Sequence, residues 1–303
     1  NDAPSITSTA DTSAMEDTAY AYTTTATDVD TGDTVTLQCT TVPSWMSCTS
    51  GALTGTPANA DVGSHSVVIT ATDGSASTTD TFTVVVANSN DAPTITSTAV
   101  TSVDEDATYS YTVTADDADG DTLTMTGTTV PSWLTFTAST GVLTGTPTND
   151  DVGSHSVVIT VADALSSVTD TFSITVANTN DAPTISSTAV TSVNEDAAYS
   201  YTATGADVDS GDTLTLSASA PSWLTFTPST GVLAGTPTND EVGTHSVTIT
   251  VEDAAGATGT QTFTITVANT NDAPTVTSTA VTAVDEDSAY SYSITTADVD
   301  SGD

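Results

Sequence analysis

The sequence predicts an all-β protein made of tandem β-sandwiches with about seven strands each. The tetrapeptide Asn-Asp-Ala-Pro begins at Asn1, Asn90, Asn180 and Asn271, so one unit recurs at spacings of 89, 90 and 91 residues. A period of about 90 residues is the size of one sandwich domain and too long for a solenoid turn. Short runs rich in Thr and Val alternate between polar and apolar positions, which is typical of strands.

The repeated landmarks divide the chain into domains. Pro-Ser-Trp, Gly-Thr-Pro and Val-Gly-Ser/Thr-His each occur once in every complete period. We therefore predict three full repeats and the N-terminal part of a fourth. They span residues 1–89, 90–179, 180–270 and 271–303.

The second repeat gives the strand prediction in detail. Alternating runs occupy residues 109–114, 123–125, 156–161 and 171–176. Turn-forming residues separate them at 119–121, 139–141 and 149–153. No segment of useful length has a helical period, so no helix is expected.

Aromatic residues are predicted to fill the core between the two sheets. The candidates are Trp45, Trp133 and Trp223 of Pro-Ser-Trp, Phe136 and Phe226 three residues after it, and Phe82, Phe172 and Phe263 late in each repeat. The tryptophans could instead stack on sugars. A Trp beside Leu or Met at the same place in every repeat favours the core.

Charge sets the strongest limit on function. The chain has 39 Asp and Glu residues and no Lys or Arg, which gives a net charge of −39. Disorder is one reading of such a composition, but 37% hydrophobic residues in strand-like runs argue against it. Nucleic acid needs a basic surface, and no apolar run is long enough to span a membrane. We therefore expect the chain to bind cations, which would offset the repulsion between its carboxylates.

Two cysteines, Cys39 and Cys48, occur in the first repeat only. A disulfide in an oxidising compartment is predicted, and two free, partly buried thiols are the alternative. Phe136 and Phe226 occupy the Cys48 position of the later repeats, so the bridge would replace an aromatic contact. Because the chain starts at Asn1 without Met, a mature portion or a fragment is expected.

Acidic residues concentrate where repeats meet. Each boundary carries Asn-x-Asn-Asp, and an acidic or partly acidic triplet such as residues 104–106 follows about a dozen positions later. An Asp-x-Asp turn such as residues 117–121 comes next, and a late strand ends at a single Asp such as Asp163. Since a sandwich chain enters at one pole and leaves at the other, these groups can meet at a boundary. Many oxygen donors without nitrogen or sulfur indicate Ca²⁺.

These motifs resemble those of cadherin repeats. The boundary Val-Ala-Asn-x-Asn-Asp-Ala-Pro is similar to the cadherin linker Asp-x-Asn-Asp-Asn-Ala-Pro. The early Glu of cadherins resembles Glu16, Glu105, Glu195 and Glu286; their Asp-x-Asp resembles Asp28/Asp30, Asp117/Asp119, Asp207/Asp209 and Asp298/Asp300; and their late Asp resembles Asp73, Asp163 and Asp253. The cadherin Leu-Asp-Arg-Glu motif is absent. The central Pro-Ser-Trp…Gly-Thr-Pro string is instead similar to dystroglycan-type cadherin-like and Ig-like repeats of large bacterial surface proteins.

The resemblance covers essentially the whole chain and implies tandem Greek-key sandwiches with calcium sites at each boundary. It implies three ligand sets: Glu16, Asn88, Asn90, Asp91, Asp117, Asp119 and Asp163; Glu105, Asn178, Asn180, Asp181, Asp207, Asp209 and Asp253; and Glu195, Asn269, Asn271, Asp272, Asp298 and Asp300. Two ligands from the missing motif have no counterpart, and Asp61, Asp151 and Glu241 are candidate substitutes. The alternative is that these acids are ordinary turn residues.

The expected function is that of a secreted or cell-surface spacer, filament or adhesin stalk stiffened by calcium. The alternative is an adhesive module that binds glycans or a neighbouring copy through its repeats. An enzyme is not expected, because a catalytic carboxylate pair is needed once whereas these acids recur in every repeat. His65, His155 and His245 lie about 90 residues apart, so metal binding by them is not expected.

Overall fold

The structure, a computed structural model, describes residues 1–300; residues 301–303, the end of the predicted fourth repeat, lie outside the described part. Within residues 1–300, regular structure consists of strands and three single-turn 3₁₀ helices. The all-β prediction is confirmed. The chain forms two compact units, Asn1–Ala177 and Asn178–Asp303, and each is described by itself.

The first unit contains two sets of nine strand segments. The first set is β1 (Ser5–Ile6), β2 (Ser13–Met15), β3 (Tyr20–Thr23), β4 (Ala26–Thr27), β5 (Thr36–Thr41), β6 (Met46–Thr49), β7 (Ala52–Gly55), β8 (Gly63–Thr72) and β9 (Ser77–Ala87), with a 3₁₀ helix at Asn59–Asp61. The second set is β10 (Thr94–Ile95), β11 (Ser102–Asp104), β12 (Tyr109–Thr112), β13 (Ala115–Asp116), β14 (Thr124–Thr129), β15 (Leu134–Thr137), β16 (Val142–Gly145), β17 (Gly153–Ala162) and β18 (Ser167–Ala177), with a 3₁₀ helix at Asn149–Asp151.

The nine segments of each set form the seven strands of a sandwich. One sheet has the order β11-β18-β17-β14, the facing sheet has the order β12-β16-β15, and β10 pairs with β13. β10 and β11 are two parts of a first strand that passes from one sheet to the other, and β12 and β13 are two parts of the second strand. This strand order is that of the immunoglobulin-type Greek-key sandwich.

The second unit repeats this arrangement once and begins it again. Its strands are β19 (Thr184–Ile185), β20 (Ser192–Asn194), β21 (Tyr199–Thr202), β22 (Gly205–Ala206), β23 (Thr215–Ser219), β24 (Leu224–Thr227), β25 (Val232–Gly235), β26 (Gly243–Glu252), β27 (Thr258–Ala268), β28 (Thr275–Val276) and β29 (Thr296–Ala297), with a 3₁₀ helix at Asn239–Glu241. The sheets have the orders β20-β27-β26-β23 and β21-β25-β24.

The long hairpin of the second repeat shows why the alternating pattern predicts strands; the first and third repeats have hairpins of the same length. β17 and β18 pair in register from Gly153 opposite Val176 to Ala162 opposite Ser167. Along β17, Val157, Ile159 and Val161 are fully buried, whereas the residues between them are partly exposed. This period of two places every second side chain in the core. The observed strands are longer than the predicted runs 156–161 and 171–176.

The core differs from the prediction in its aromatic residues. The predicted tryptophans and phenylalanines are only partly buried and lie at the edge of each core cluster. The centre of the second repeat consists of tyrosines and aliphatic side chains, among them Tyr109, Leu143 and Ile159. Trp133 meets Tyr109 edge to face with ring centroids 5.9 Å apart. The Tyr109 hydroxyl donates to the Val100 carbonyl at 2.8 Å, and burial raises the pKa of Tyr109 to about 12.

A disulfide joins Cys39 of β5 to Cys48 of β6, and so links the two sheets of the first repeat. The strand registers show what replaces it elsewhere. Cys39 pairs with Ile69 in the same way as Gly127 with Ile159, and Cys48 pairs with Leu53 as Phe136 with Leu143. A Cβ at Gly127 would lie 3.3 Å from Phe136, so the large ring faces a position without a side chain.

Removing this disulfide is expected to destabilise the first repeat. A cross-link spanning nine positions stabilises by about 2.5 kcal/mol in the chain-entropy model. The variant Cys39→Ala/Cys48→Ala should lose this amount in urea unfolding. The matched variant Cys39→Gly/Cys48→Phe copies the second repeat and should recover part of the loss. Equal stability of the double alanine variant and the parent chain would contradict a stabilising role.

Candidate metal centres at the repeat boundaries

The linker after β9 is held by loops of the following repeat. The backbone N–H of Asp91 donates to the Asp119 carboxylate at 2.7 Å. The Asn90 side-chain amide donates to the Asp163 carboxylate at 3.2 Å and to the Ser166 hydroxyl at 3.1 Å. The linker therefore brings two carboxylates from separate loops to one boundary.

The Asp-x-Asp loop after β13 gathers three acidic side chains. The backbone N–H groups of Asp119 and Asp121 both donate to one oxygen of Asp117, at 3.0 and 3.3 Å. One carboxylate oxygen from each of these three residues lies within 4.8 Å of the others. The second oxygen of Asp117 is buried and has no hydrogen-bond partner within the described chain.

Glu16 completes the boundary from the side of the first repeat. It follows β2, is 1% exposed, and accepts a hydrogen bond from the Ser89 N–H at 3.2 Å. Its other oxygen, Oε1, is buried without a hydrogen-bond partner among residues 1–300. Oxygens of Glu16, Asp91 and Asp119 lie within 4.8 Å of one another.

This arrangement fits a divalent cation. A buried carboxylate oxygen without a hydrogen bond is costly unless a positive charge compensates it. The chain has no Lys or Arg to supply that charge. All candidate donors are oxygens, the ligands that Ca²⁺ takes in sixfold or higher coordination. The residues best placed to hold the ion are Glu16, Asp91 and Asp119, and Asp117 and Asp121 form a second cluster with Asp119.

The same bonds recur at the other boundaries. The linker Asp N–H donates to the second Asp of Asp-x-Asp four times: Asp2 to Asp30, Asp91 to Asp119, Asp181 to Asp209 and Asp272 to Asp300, at 2.6–2.7 Å. The linker Asn amide donates to the late Asp three times: Asn1 to Asp73, Asn90 to Asp163 and Asn180 to Asp253, at 2.8–3.2 Å. A repeated sequence thus produces a repeated polar network.

Hydrogen bonds keep the late Asp residues ionised. The Ser166 hydroxyl, followed by the Ser166 amide, lowers the pKa of Asp163 well below its ordinary value. The Asn180 amide lowers the pKa of Asp253 in the second unit. Desolvation and then the neighbouring carboxylates raise the pKa of Asp212. The carboxylates thus differ in how readily they keep their charge.

The boundary before β28 lies wholly in the second unit. Glu195 is 3% exposed and accepts a hydrogen bond from the Thr270 N–H. Asp300 is 6% exposed, and its N–H donates to Asp298 at 2.9 Å. One oxygen of Glu195 is buried without a hydrogen-bond partner in the described residues, as at Glu16.

Comparison with known proteins identifies the repeats. The family model described as "Putative Ig domain" matches residues 3–87, 92–177 and 182–268. The chain belongs to this Ig-domain family. Each match lies inside one of the three complete Ig repeats that the tetrapeptide spacing predicts, although the exact boundaries stay predictions.

Similar proteins include a bacterial adhesin and protocadherins. The serine-rich adhesin for platelets of Staphylococcus aureus is 35% identical over 133 residues, which are 43% of this chain and 6% of that protein. Domains 1–5 of protocadherin gamma B2 match 86% of this chain and 58% of theirs, with 17% identity and a TM-score of 0.56. That likeness shows the fold alone and agrees with the predicted cadherin resemblance.

A fucoidan hydrolase of glycoside hydrolase family 107 also matches. It is 25% identical, covers 85% of this chain and 43% of its own, and has a TM-score of 0.30. A TM-score this low supports no inference about activity. Within residues 1–300, the Ig repeats contain no helix with the length and apolar character needed to cross a membrane.

The structure places the predicted ligands unevenly. In the first set, Glu16, Asp91 and Asp119 come together, Asn90 contacts Asp163, and Asn88 is exposed. In the second set, Glu105 belongs to the first unit and the other six residues to the second, so that grouping stays a prediction. In the third set, Asp272, Asp298 and Asp300 are linked by hydrogen bonds, and Glu195 contacts the linker.

Two kinds of residue were missing from the predicted sets. The first is the acid after the glycine of the Asp-x-Asp loop, at Asp33, Asp121 and Asp212, each of which belongs to a carboxylate cluster. The Gly-Asp that follows Asp-x-Asp in repeats one to three was the available signal. The second is Asn59, which contacts Asp119. The proposed substitute Asp61, two residues later, instead accepts the Ala58 N–H of its own turn at 3.0 Å.

Proposed function

We propose that this chain is part of an extracellular array of Ig-like repeats that calcium stiffens, acting as a spacer, filament or adhesin stalk rather than an enzyme. The likeness to a staphylococcal adhesin for platelets supports the cell-surface role, although the match spans 6% of that protein. The observation that carries the calcium proposal is the buried, unpartnered oxygen of Glu16 beside Asp91 and Asp119.

The ion would join three parts of the chain at one point. Glu16 belongs to the first repeat, Asp91 to the linker and Asp119 to the second repeat. A bound Ca²⁺ would supply the positive charge that the chain lacks. These residues would hold it and thereby limit rotation of one repeat against the next. Without such a contact, small interfaces between domains leave them free to move.

We extend the proposal to all three predicted ligand sets and to the third acid of each Asp-x-Asp loop. The recurrence of the linker hydrogen bonds supports one mechanism at every boundary. The partners proposed on this basis are calcium ions and other repeats of the same or neighbouring copies. The repeat limits at residues 89/90, 179/180 and 270/271 are part of the same proposal.

Calcium titration of the full chain by calorimetry tests this function. Glu16→Gln keeps the size of the side chain and removes its charge. The first boundary should then bind calcium at least about tenfold more weakly. The reason is that two charges 4 Å apart at an effective dielectric constant of 20 interact by about 4 kcal/mol. Asp150→Asn, an exposed position outside the clusters, is the matched control and should bind as the parent chain does. Failure of the parent chain to bind calcium, or unchanged binding by Glu16→Gln, would refute the proposal.

A second candidate function is adhesion, favoured by a cleft between the first and last strands. In the second repeat this cleft has a volume of about 460 Å³ and is lined by residues between 93 and 99 and by 168–170. In the first repeat its counterpart, about 380 Å³, is lined by residues between 5 and 8 and by 78–80. Asp170 and Asp80 lie in these clefts.

The third repeat fills the equivalent space with its own side chain. The Gln261 amide donates to the Ser187 carbonyl at 2.8 Å and accepts from the Tyr201 hydroxyl at 2.7 Å. The first two repeats carry Asp in place of this Gln, so their clefts could accept a hydroxyl-rich ligand such as a glycan. Glycan binding by the parent chain that the double variant Asp80→Gln/Asp170→Gln abolishes would favour adhesion over a pure spacer.

A further inference from the structure

A second contact crosses the first boundary without any ion. The Asn59 side-chain amide, in the 3₁₀ helix of the first repeat, donates to Asp119 of the second repeat at 2.9 Å. The same contact occurs in the second unit, where the Asn239 amide donates to Asp300 at 3.1 Å. Without Lys or Arg, the chain has to use neutral side-chain donors such as this amide to bind a carboxylate.

The turn that carries Asn59 is fixed to its own repeat. The Ala58 N–H donates to the Asp61 carboxylate at 3.0 Å, which closes the turn. The Asp61 carbonyl lies 2.6 Å from Nε2 of His65, and this nitrogen must carry the hydrogen because a carbonyl only accepts. The His65 ring packs edge-on against Trp45, 5.9 Å between centroids. Asn59 therefore projects from a turn that hydrogen bonds and ring packing connect to the core of its own repeat.

Asp119 is the residue that this contact orients. Its Oδ1 accepts from Asn59 and its Oδ2 accepts from the Asp91 N–H at 2.7 Å. Each oxygen of Asp119 thus accepts a hydrogen bond from a different part of the chain, one from the first repeat and one from the linker. Asn59 acts on the proposed ion site through Asp119 and is a positioning residue.

We infer that Asn59 and Asn239 are ion-independent latches: each ties its repeat directly to the Asp-x-Asp loop of the next one and holds that loop ready for the cation. The inference deepens the proposed function, because Asp119 and Asp300 belong to the proposed calcium sites. The boundary then has two kinds of contact between repeats. The carboxylate cluster needs the ion, whereas the latch needs only an amide and a carboxylate.

The test uses the full chain in excess EDTA and measures residual dipolar couplings in each repeat. Asn59→Asp keeps the shape of the side chain but replaces the donor with a carboxylate that repels Asp119. We expect repeats one and two of the parent chain to share one alignment tensor in EDTA, and Asn59→Asp to lose that shared alignment. Asn59→Ala should lose it to a smaller extent, because it removes the donor without adding repulsion.

The second boundary of the same type supplies the control. Asn239→Asp should leave repeats one and two as they are in the parent chain and change only the alignment of residues 271–300 relative to the third repeat. Unchanged alignment in Asn59→Asp, or equal effects of both variants at both boundaries, would overturn the latch. Calcium binding is measured separately on the parent chain. If the parent chain binds no calcium, the proposed function is refuted. If Asn59→Asp nevertheless loses the shared alignment in EDTA, the latch is kept.

Discussion

Removal of calcium with excess EDTA is expected to lower the midpoint of thermal unfolding by roughly 10–20 °C. One site occupied at a hundredfold excess over its dissociation constant stabilises the folded state by about 2.7 kcal/mol. For a domain of about 90 residues, each kcal/mol corresponds to about 4–8 °C. The carboxylates gathered at each boundary would also repel one another once the ion leaves. Differential scanning calorimetry of the full chain with calcium and with EDTA measures the change.

Ionic strength has to be separated from specific binding. Salt screens exposed charges, with a Debye length of about 10 Å at 0.1 M, so sodium chloride alone should restore part of the stability of a chain with net charge −39. Calcium at millimolar concentration should restore far more than sodium chloride at equal ionic strength. Equal recovery by both salts would mean that screening, not a boundary site, stabilises the repeats.

Gly145→Ala is expected to destabilise the second repeat by about 3 kcal/mol or more, the upper end of the usual cost of overpacking. A Cβ at Gly145 would lie 2.0 Å from the backbone oxygen of Trp133, so the backbone itself must move. Gly55 and Gly235 approach Trp45 and Trp223 in the same way, at 2.2 and 2.1 Å. This explains the glycine of Gly-Thr-Pro in each complete repeat.

Hydrogen exchange followed by mass spectrometry can locate the effect of Gly145→Ala. Peptides of the second repeat should exchange faster, while peptides of the second unit, residues 178–303, serve as an internal reference. Thr146→Ala is the control variant, because Thr146 is exposed and adjacent in the same motif. If Gly145→Ala and Thr146→Ala exchange alike, the close approach to Trp133 does not constrain the sequence.

The sequence predicts the sandwich well because each signal is local. The period of two in β17 follows from which side chains it buries, and turn residues mark where strands end. The position of the tryptophans was not predictable in this way. Trp133 lies at the edge of the core, where its ring meets both Tyr109 and His155, and no local pattern distinguishes an edge from a centre.

Some residues of the candidate site could likewise be predicted from the sequence, and others could not. The boundary acids could be predicted because their spacing recurs, and in the first unit Glu16, Asp91 and Asp119 do meet. Asn59 was missed although an Asn recurs at the same place in each complete repeat, because Asn is also an ordinary turn residue. Its contact with Asp119 depends on how a turn of one repeat faces a loop of the next. Asp61 looked like the better ligand by charge, yet its carboxylate is used to close its own turn.

The parallel pairing of β11 with β18 has a mechanical consequence. Residues 102–104, near the start of the second repeat, pair with residues 175–177 at its end. Tension applied to the two ends of the repeat pulls these strands past each other in opposite directions, so their hydrogen bonds are loaded together in shear and cannot open one by one. The first and third repeats have the same pairing at β2–β9 and β20–β27. In every complete repeat, the strand pair that joins the start of the domain to its end is therefore loaded in shear when the array is stretched.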